Sequence, residues 1–88
     1  MTTSFRKSFT RDLKKVKDQA VLDRIREVIE QVEAAPDLQA IGDLKKLSGS
    51  SAVFRIRVGE YRIGVAIDGD TVDFVRVLHR RDVYRFFP

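Results

Sequence analysis

The sequence contains no cysteine and no tryptophan, and it has one histidine and two prolines among its 88 residues. Without cysteine, disulfides, thiolate nucleophiles and thiolate metal sites are excluded, and a reducing cytoplasm is the expected location. A single histidine would leave a metal site to carboxylates, so neither a metal nor a cofactor is predicted. No apolar run approaches the roughly 20 residues that span a bilayer, and no signal-peptide hydrophobic region is present. We therefore predict no membrane association.

Lysine disappears from the second part of the chain. Six lysines and four arginines precede Gly49, whereas seven arginines and no lysine follow it. The formal net charge of +4 favours a polyanionic partner without naming one. Arginine offers a planar fork that binds phosphate and stacks on bases, so its exclusive use in the second part indicates either a binding surface there or only that arginine suits exposed strands.

The length and the hydrophobic fraction of 43% predict one domain, residues 1–88, with a single two-layer core. A weak edge strand is expected over residues 2–6. Ser8 or Thr10 can cap a first helix, and Asp18 can cap a second one that ends before Pro36. Apolar side chains recur at helical spacing in both segments: Phe9, Leu13 and Val16, then Val21, Leu22, Ile25, Val28, Ile29 and Val32. The two helices should form an antiparallel hairpin, followed by a connector over residues 37–51.

The apolar period changes from 3.6 to 2 after this connector. Three strands are predicted over residues 53–58, 61–67 and 71–78, separated by the turn signals Gly59-Glu60 and Asp68-Gly69-Asp70. The last strand is apolar on both faces and should be central. The predicted fold class is α+β, with a helical hairpin on one face of a small, mainly antiparallel sheet of three to four strands.

The alternation of these strands predicts two different sheet faces. The side chains expected to pack on the helices are Phe54, Ile56, Ile63, Val65, Val75 and Val77. The reverse face would then carry Arg55, Arg57, Arg62 and Arg76 around a shallow floor at Gly64 and Ala66. Such a surface suits single-stranded nucleic acid better than a compact metabolite.

The order of the elements, together with FRIRVGEYRI and VLHRRDVY, resembles the RelE/ParE superfamily of toxins from type II toxin–antitoxin systems. The resemblance covers nearly the whole chain. It implies one of two activities, because RelE-type members cleave messenger RNA in the ribosomal A site whereas ParE-type members poison DNA gyrase. Both types are held inactive by a cognate antitoxin that wraps the toxin.

The resemblance also implies residue roles in attack of a ribose 2′-hydroxyl on the adjacent phosphodiester. Arg62 would clamp the scissile phosphate, Arg80 would act near the leaving oxygen, and Tyr84 would stack on or orient a base. Arg55 and Arg57 occupy the two positions at which the best-known RelE pattern has lysine, and they are expected to contact phosphate.

Arginine is always protonated in proteins, so the lysine-like proton acceptor of that pattern is missing. His79 is predicted as the substitute acid or base because it alone has an ordinary pKa near 6.5. Glu60, in the turn beside Arg62, is the second candidate. Arg76 is expected to bind RNA, to bind antitoxin carboxylates or to pair with Asp73.

Arg81 is expected to make general electrostatic contacts with RNA. Phe86 and Phe87 are expected either to pack on the core or to stack on bases. The predicted function is that of a ribosome-dependent messenger RNA endonuclease, with a gyrase inhibitor and an inactive toxin that only binds its antitoxin as alternatives. The predicted partners are the ribosome, its messenger RNA and an acidic, amphipathic, RelB-like antitoxin.

Overall fold

The computed structural model describes residues 1–47 and 52–87, and these contain five strands and three α-helices. The elements are β1 (Thr2–Phe5), α1 (Lys7–Lys14), α2 (Gln19–Ala34), a 3-10 turn (Leu38–Ala40), β2 (Leu44–Lys46), β3 (Val53–Val58), β4 (Tyr61–Asp68), β5 (Thr71–His79) and α3 (Val83–Phe86). No helix in these two stretches is long and apolar enough to cross a membrane.

The strands form one sheet in the order β1-β5-β4-β3-β2. β1 runs parallel to β5, and the other neighbours are antiparallel. The predicted α+β class and the central place of the last strand are confirmed, but the sheet has five strands instead of three to four. The additional strand is β2, which lies in the predicted connector. Ser48 to Ser51 of that connector lie outside the described residues.

The second helix begins and ends as predicted. The Asp18 carboxylate accepts a hydrogen bond from the backbone N–H of Ala20 at 2.9 Å, and α2 ends at Ala34, two residues before Pro36. This carboxylate satisfies one of the backbone donors that a helix start leaves unpaired.

The predicted cap of the first helix is wrong. The residue before α1 is Arg6, whose side chain makes no capping bond. The Ser8 hydroxyl donates instead to the backbone carbonyl of Val75 at 2.6 Å, and the Thr10 hydroxyl donates to that of Lys7. Ser8 therefore ties α1 to the edge of β5 that continues beyond β1.

Two apolar cores lie on opposite faces of the sheet. The main core joins the helices to the sheet, and its most deeply buried side chains are Phe9, Ile25, Val32, Ile56, Val58, Ile63, Val65, Val72 and Phe74. A smaller second core joins the C-terminal helix to the other face, through Leu47, Val83 and Phe87 with Val53, Val75 and Leu78 packed against them.

A register shift in β4–β5 decides which residues of β5 face each core. Gly64 lies opposite Arg76, but the next residue, Val65, lies opposite Phe74. Val75 is left over as a bulge residue and joins the second core, so its predicted place in the main core is wrong. Val77 is buried in the main core as predicted.

Candidate nucleic-acid interface

Arg62, at the start of β4, is the centre of the basic surface. Its Nη1 donates to the backbone carbonyl oxygens of Gly59 at 2.8 Å and Tyr61 at 2.9 Å. Both acceptors belong to the β3–β4 turn or its edge, so the tight turn itself fixes the guanidinium. Within residues 1–47 and 52–87, no hydrogen bond engages its Nε or Nη2.

The surroundings of Arg62 disfavour its own positive charge. Burial lowers the pKa of Arg62, and Arg55, Arg57 and, to a smaller degree, Arg80 lower it further, while Tyr84 acts in the opposite direction. These charge effects fall off with distance, so the other four side chains lie near Arg62. We call Arg55, Arg57, Arg62, Arg80 and Tyr84 the arginine cluster.

The two arginines of β3 are weakly engaged by the protein. Arg57 lies directly opposite Arg62 across the strands, an arrangement of like charges that lowers stability. Its Nη2 is 3.8 Å from a carboxylate oxygen of Asp43, and both side chains are exposed. Arg55 donates from Nη1 to the backbone carbonyl of Asp43, and its buried Nε has no hydrogen-bond partner in the described part of the chain.

Arg80 follows β5 and is held beside Arg62 by Glu60. The Arg80 Nε is 2.7 Å from the Glu60 carboxylate, and the Arg80 backbone N–H donates to the Glu60 carbonyl at 2.7 Å. The side chains are 59% and 64% exposed. Exposed ion pairs contribute little net stability, so an incoming phosphate can displace the carboxylate without much loss.

The C-terminal tail brings Tyr84 to the cluster. Val83 and Phe87 are buried in the second core, whereas Tyr84, between them, is 64% exposed. The Phe87 ring lies over Gly64 so closely that a Cβ there would be 2.6 Å from a ring carbon. The predicted open floor at Gly64 is therefore wrong, because the ring fills it, and the same contact anchors the helix that carries Tyr84.

Arg76 lies outside the arginine cluster. Its Nε and Nη2 donate to the two carboxylate oxygens of Asp12 at 2.6 and 3.2 Å, and this hydrogen bonding raises the pKa of Arg76. Asp12 is 6% exposed and also accepts from the Val77 backbone N–H. The predicted pairing of Arg76 with Asp73 is wrong, since Asp73 pairs with Arg6 at 2.6 Å.

Sequence reasoning missed Asp12, although a signal was present. Asp12 follows Phe9 by three residues and precedes Val16 by four, so it lies on the apolar face of α1. An acid on that face needs a buried partner. Arg76 is that partner, and the pair closes the open edge of β5 beyond the end of β1.

His79 is not brought into the cluster. Its ring packs edge-on against Tyr61, with ring centroids 5.7 Å apart, and its Nδ1 accepts from the backbone N–H of Arg81 at 3.2 Å. Arg81 itself is exposed and adds a weak 3.4 Å contact to the same Nδ1. No role of His79 or Arg81 in RNA chemistry follows from these contacts, and both roles stay predictions.

A family model described as the ParE toxin of the type II toxin–antitoxin system parDE matches residues 4–84. The chain belongs to this toxin family. It is 43% identical, over the full length of both chains, to toxin RelE3 of Methanocaldococcus jannaschii. Its structure superposes with a TM-score of 0.82 on a chain of the RelB–RelE antitoxin–toxin complex from Methanococcus jannaschii, with 42% identity and coverage of 97% and 99% of the two chains.

A second solved complex gives the same result at lower identity. The RelBE2 toxin–antitoxin complex from Mycobacterium tuberculosis contains a chain with a TM-score of 0.72 and 29% identity, and the match covers 90% of this chain and 96% of that one. The predicted membership of the RelE/ParE superfamily of type II toxins and the RelE-like fold are thus confirmed.

Proposed function

We propose that this toxin is a ribosome-dependent endoribonuclease that cleaves messenger RNA in the A site. The observation that supports this proposal best is the arginine cluster, in which burial and the neighbouring arginines lower the pKa of Arg62. Phosphoester cleavage by an adjacent 2′-hydroxyl develops negative charge on the phosphorane, and preorganised cations stabilise it. A surface that holds cations against their own repulsion suits that task.

The proposed roles follow the geometry of the cluster. Arg62, fixed by the turn carbonyls, clamps the scissile phosphate, Arg57 contacts it from the directly opposite position on β3, and Arg55 contacts the RNA backbone beside it. Arg80 stabilises the leaving 5′ oxygen after the phosphate displaces Glu60. Tyr84, exposed at the rim, stacks on a base.

The four arginines of the cluster cannot accept the 2′ proton, so another residue must do so. Glu60 has its carboxylate 2.7 Å from the Arg80 Nε, at the cluster, whereas His79 contacts Tyr61 and Arg81. Once the phosphate has displaced Glu60 from Arg80, its carboxylate is free to take the 2′ proton, and its place at the cluster favours Glu60 over His79.

We also propose that an antitoxin holds this toxin inactive in the cytoplasm. The relatives in the two solved complexes are bound to RelB-type antitoxins. An acidic, amphipathic segment that folds on binding would place carboxylates on the arginine cluster and exclude RNA. Such a complex should weaken with salt less than RNA binding does, because apolar burial also contributes.

The test is primer extension on messenger RNA bound to programmed ribosomes. The wild type should cut in the A site, and Arg80→Ala should abolish the cut. Glu60→Gln should lose it if Glu60 takes the proton, while His79→Ala should retain it. Arg26→Ala, which removes an exposed arginine of α2, is the control for charge and should cut as the wild type does.

The alternative is inhibition of DNA gyrase, and it is favoured by the ParE description of the matching family model. A wild-type protein that stops growth but leaves ribosome-bound messenger RNA intact would refute the nuclease. A gyrase supercoiling assay would then test the alternative. If the protein affects neither target but binds an antitoxin, it is the inactive toxin.

A further inference from the structure

Strand β2 carries two adjacent lysines, and its register determines which of them joins the arginine cluster. Lys45 lies opposite Arg55 of β3, and Lys46 lies opposite Phe54. Directly opposite residues of an antiparallel pair project from the same face, with Cβ atoms roughly 5 Å apart. Lys45 is therefore a neighbour of Arg55 on the arginine face.

The burial of the leucines that flank the two lysines gives the same assignment. Leu44 packs against the main core under the helices, and Leu47 is buried in the second core on the opposite face. Side chains alternate along a strand, so Lys45 shares the face of Leu47, and Lys46 shares that of Leu44. Both lysines are exposed, which makes them equal in charge and accessibility but opposite in direction.

Two like-charge pairs consequently lie side by side on one face. Lys45 faces Arg55, and Arg57 faces Arg62, each directly across a pair of strands. Like charges so placed are destabilising, and the described residues supply no salt bridge to Lys45. Arg55 and Arg57, one from each pair, are two residues apart along β3, or roughly 6.7 Å, a separation that neighbouring phosphates of an extended RNA can match.

We propose that Lys45, together with Arg55, binds the RNA backbone next to the scissile phosphate. The RNA would run from Arg62 on β4, across β3, to Lys45 on β2, so β2 extends the substrate site by one phosphate. This inference rests on the proposed nuclease function. It adds Lys45 to the binding surface, although Lys45 precedes the part of the chain that contains arginine and no lysine.

The experiment measures binding of a fluorescein-labelled, 2′-O-methyl single-stranded RNA by anisotropy at several salt concentrations, without ribosomes. The proteins are the wild type, Lys45→Ala, Lys46→Ala and Arg62→Ala. Lys45→Ala should bind about two- to fivefold more weakly, as expected for an exposed charge pair. Its plot of log affinity against log salt should be less steep by about 0.7, as expected for one lost phosphate contact on a single strand. Lys46→Ala should match the wild type, and Lys45→Arg should restore the slope.

Three results would contradict the inference, and they separate it from the proposed function. If Lys45→Ala and Lys46→Ala both match the wild type while Arg62→Ala loses binding, only the role of Lys45 fails. If both lysine variants weaken binding equally, overall charge explains the effect and the path across β2 is wrong. If the wild type binds no RNA even at low salt, the inference fails, and primer extension on programmed ribosomes still tests the nuclease separately. Neither lysine variant should unfold more easily than the wild type, because neither side chain is buried and Lys45→Ala also relieves the repulsion by Arg55.

Discussion

Arg62 and Arg76 are half-buried arginines on neighbouring strands, yet the protein treats them in opposite ways. Arg76 meets the buried carboxylate of Asp12, and its pKa is raised. Burial and the neighbouring arginines lower the pKa of Arg62. The fold thus neutralises one arginine itself and leaves the other to a partner that brings negative charge.

The two pKa shifts have opposite consequences for stability. A raised pKa means that the folded state holds the charged Arg76 more favourably than the unfolded chain does, so this contribution is present at every pH below the unfolded value. A lowered pKa means that the charged Arg62 opposes folding over the same range. An anion bound at the arginine cluster should therefore stabilise the protein.

The largest expected effect is the loss of activity in Arg62→Ala. If Arg62 clamps the scissile phosphate, cleavage of ribosome-bound messenger RNA should fall by about 10²- to 10³-fold. Urea unfolding should show no loss of stability, because the substitution relieves the repulsion by Arg57. An Arg62→Ala protein that cuts normally, or one that unfolds far more easily, would contradict the contrast with Arg76.

The next effect is on stability, in Asp12→Ala. Removing the carboxylate leaves Arg76 without its partner and the Val77 backbone N–H unpaired, which should lower the free energy of unfolding by about 3 kcal/mol. Urea denaturation measures this change. Glu60→Ala, which removes the acid of an exposed ion pair, is the matched control and should unfold nearly as the wild type does.

A smaller effect is expected for Gly64→Ala. The added methyl group would overlap the Phe87 ring, so the tail must shift, at a loss of about 2 kcal/mol. The protein has two tyrosines and no tryptophan, so fluorotyrosine labelling should give one fluorine NMR signal for Tyr84 and one for Tyr61. The Tyr84 signal should move more than that of Tyr61. Gly42→Ala, where no described residue apart from the two chain neighbours has an atom within 4 Å of the new carbon, should change neither stability nor spectrum.

The smallest effect is expected for RNA binding by Glu60→Gln. The substitution frees Arg80 from its carboxylate, so the affinity for a non-cleavable single-stranded RNA should rise about two- to threefold at low salt. Asp68→Asn, an exposed acid at the end of β4, serves as the control for net charge. Equal gains in both variants would mean that the ion pair does not compete with phosphate.

The sequence predicted well those features that local chemistry determines. Asp18 and Pro36 set the limits of α2, and the Asp68-Gly69 turn, with Gly69 at a φ of 61°, joins β4 to β5. Prediction from the sequence failed where residues distant in the chain determine the local structure. β2 has only one apolar residue in three, and it is a strand because β3 supplies hydrogen-bond partners.

The residues of the arginine cluster could be named from the sequence, but the shape of the surface around them could not. Arg55, Arg57, Arg80 and Tyr84 lie near Arg62, and the roles that the resemblance implies for these five residues stay predictions. The bulge at Val75 and the ion pair with Asp12 place Arg76 outside the arginine cluster. The Phe87 ring covers Gly64, where an open floor was predicted. The bulge and the position of Phe87 have no local sequence signal. The place of Asp12 on the apolar face of α1 is visible in the sequence, but its partner on β5 is not.

The pairing of β1 with β5 also sets the order in which this molecule can fold. The Ser4–Asp73 hydrogen bond between these strands spans 69 positions. Helices α1 and α2 and the β3–β4–β5 meander close through short loops, so they can form early. Docking of β1 must wait for the longest loop closure in the sheet, which should make it the slow step. Until then the half of β5 that pairs with β1 is an open edge, while Ser8 and Asp12 of α1 bond to the rest of that edge in the folded protein.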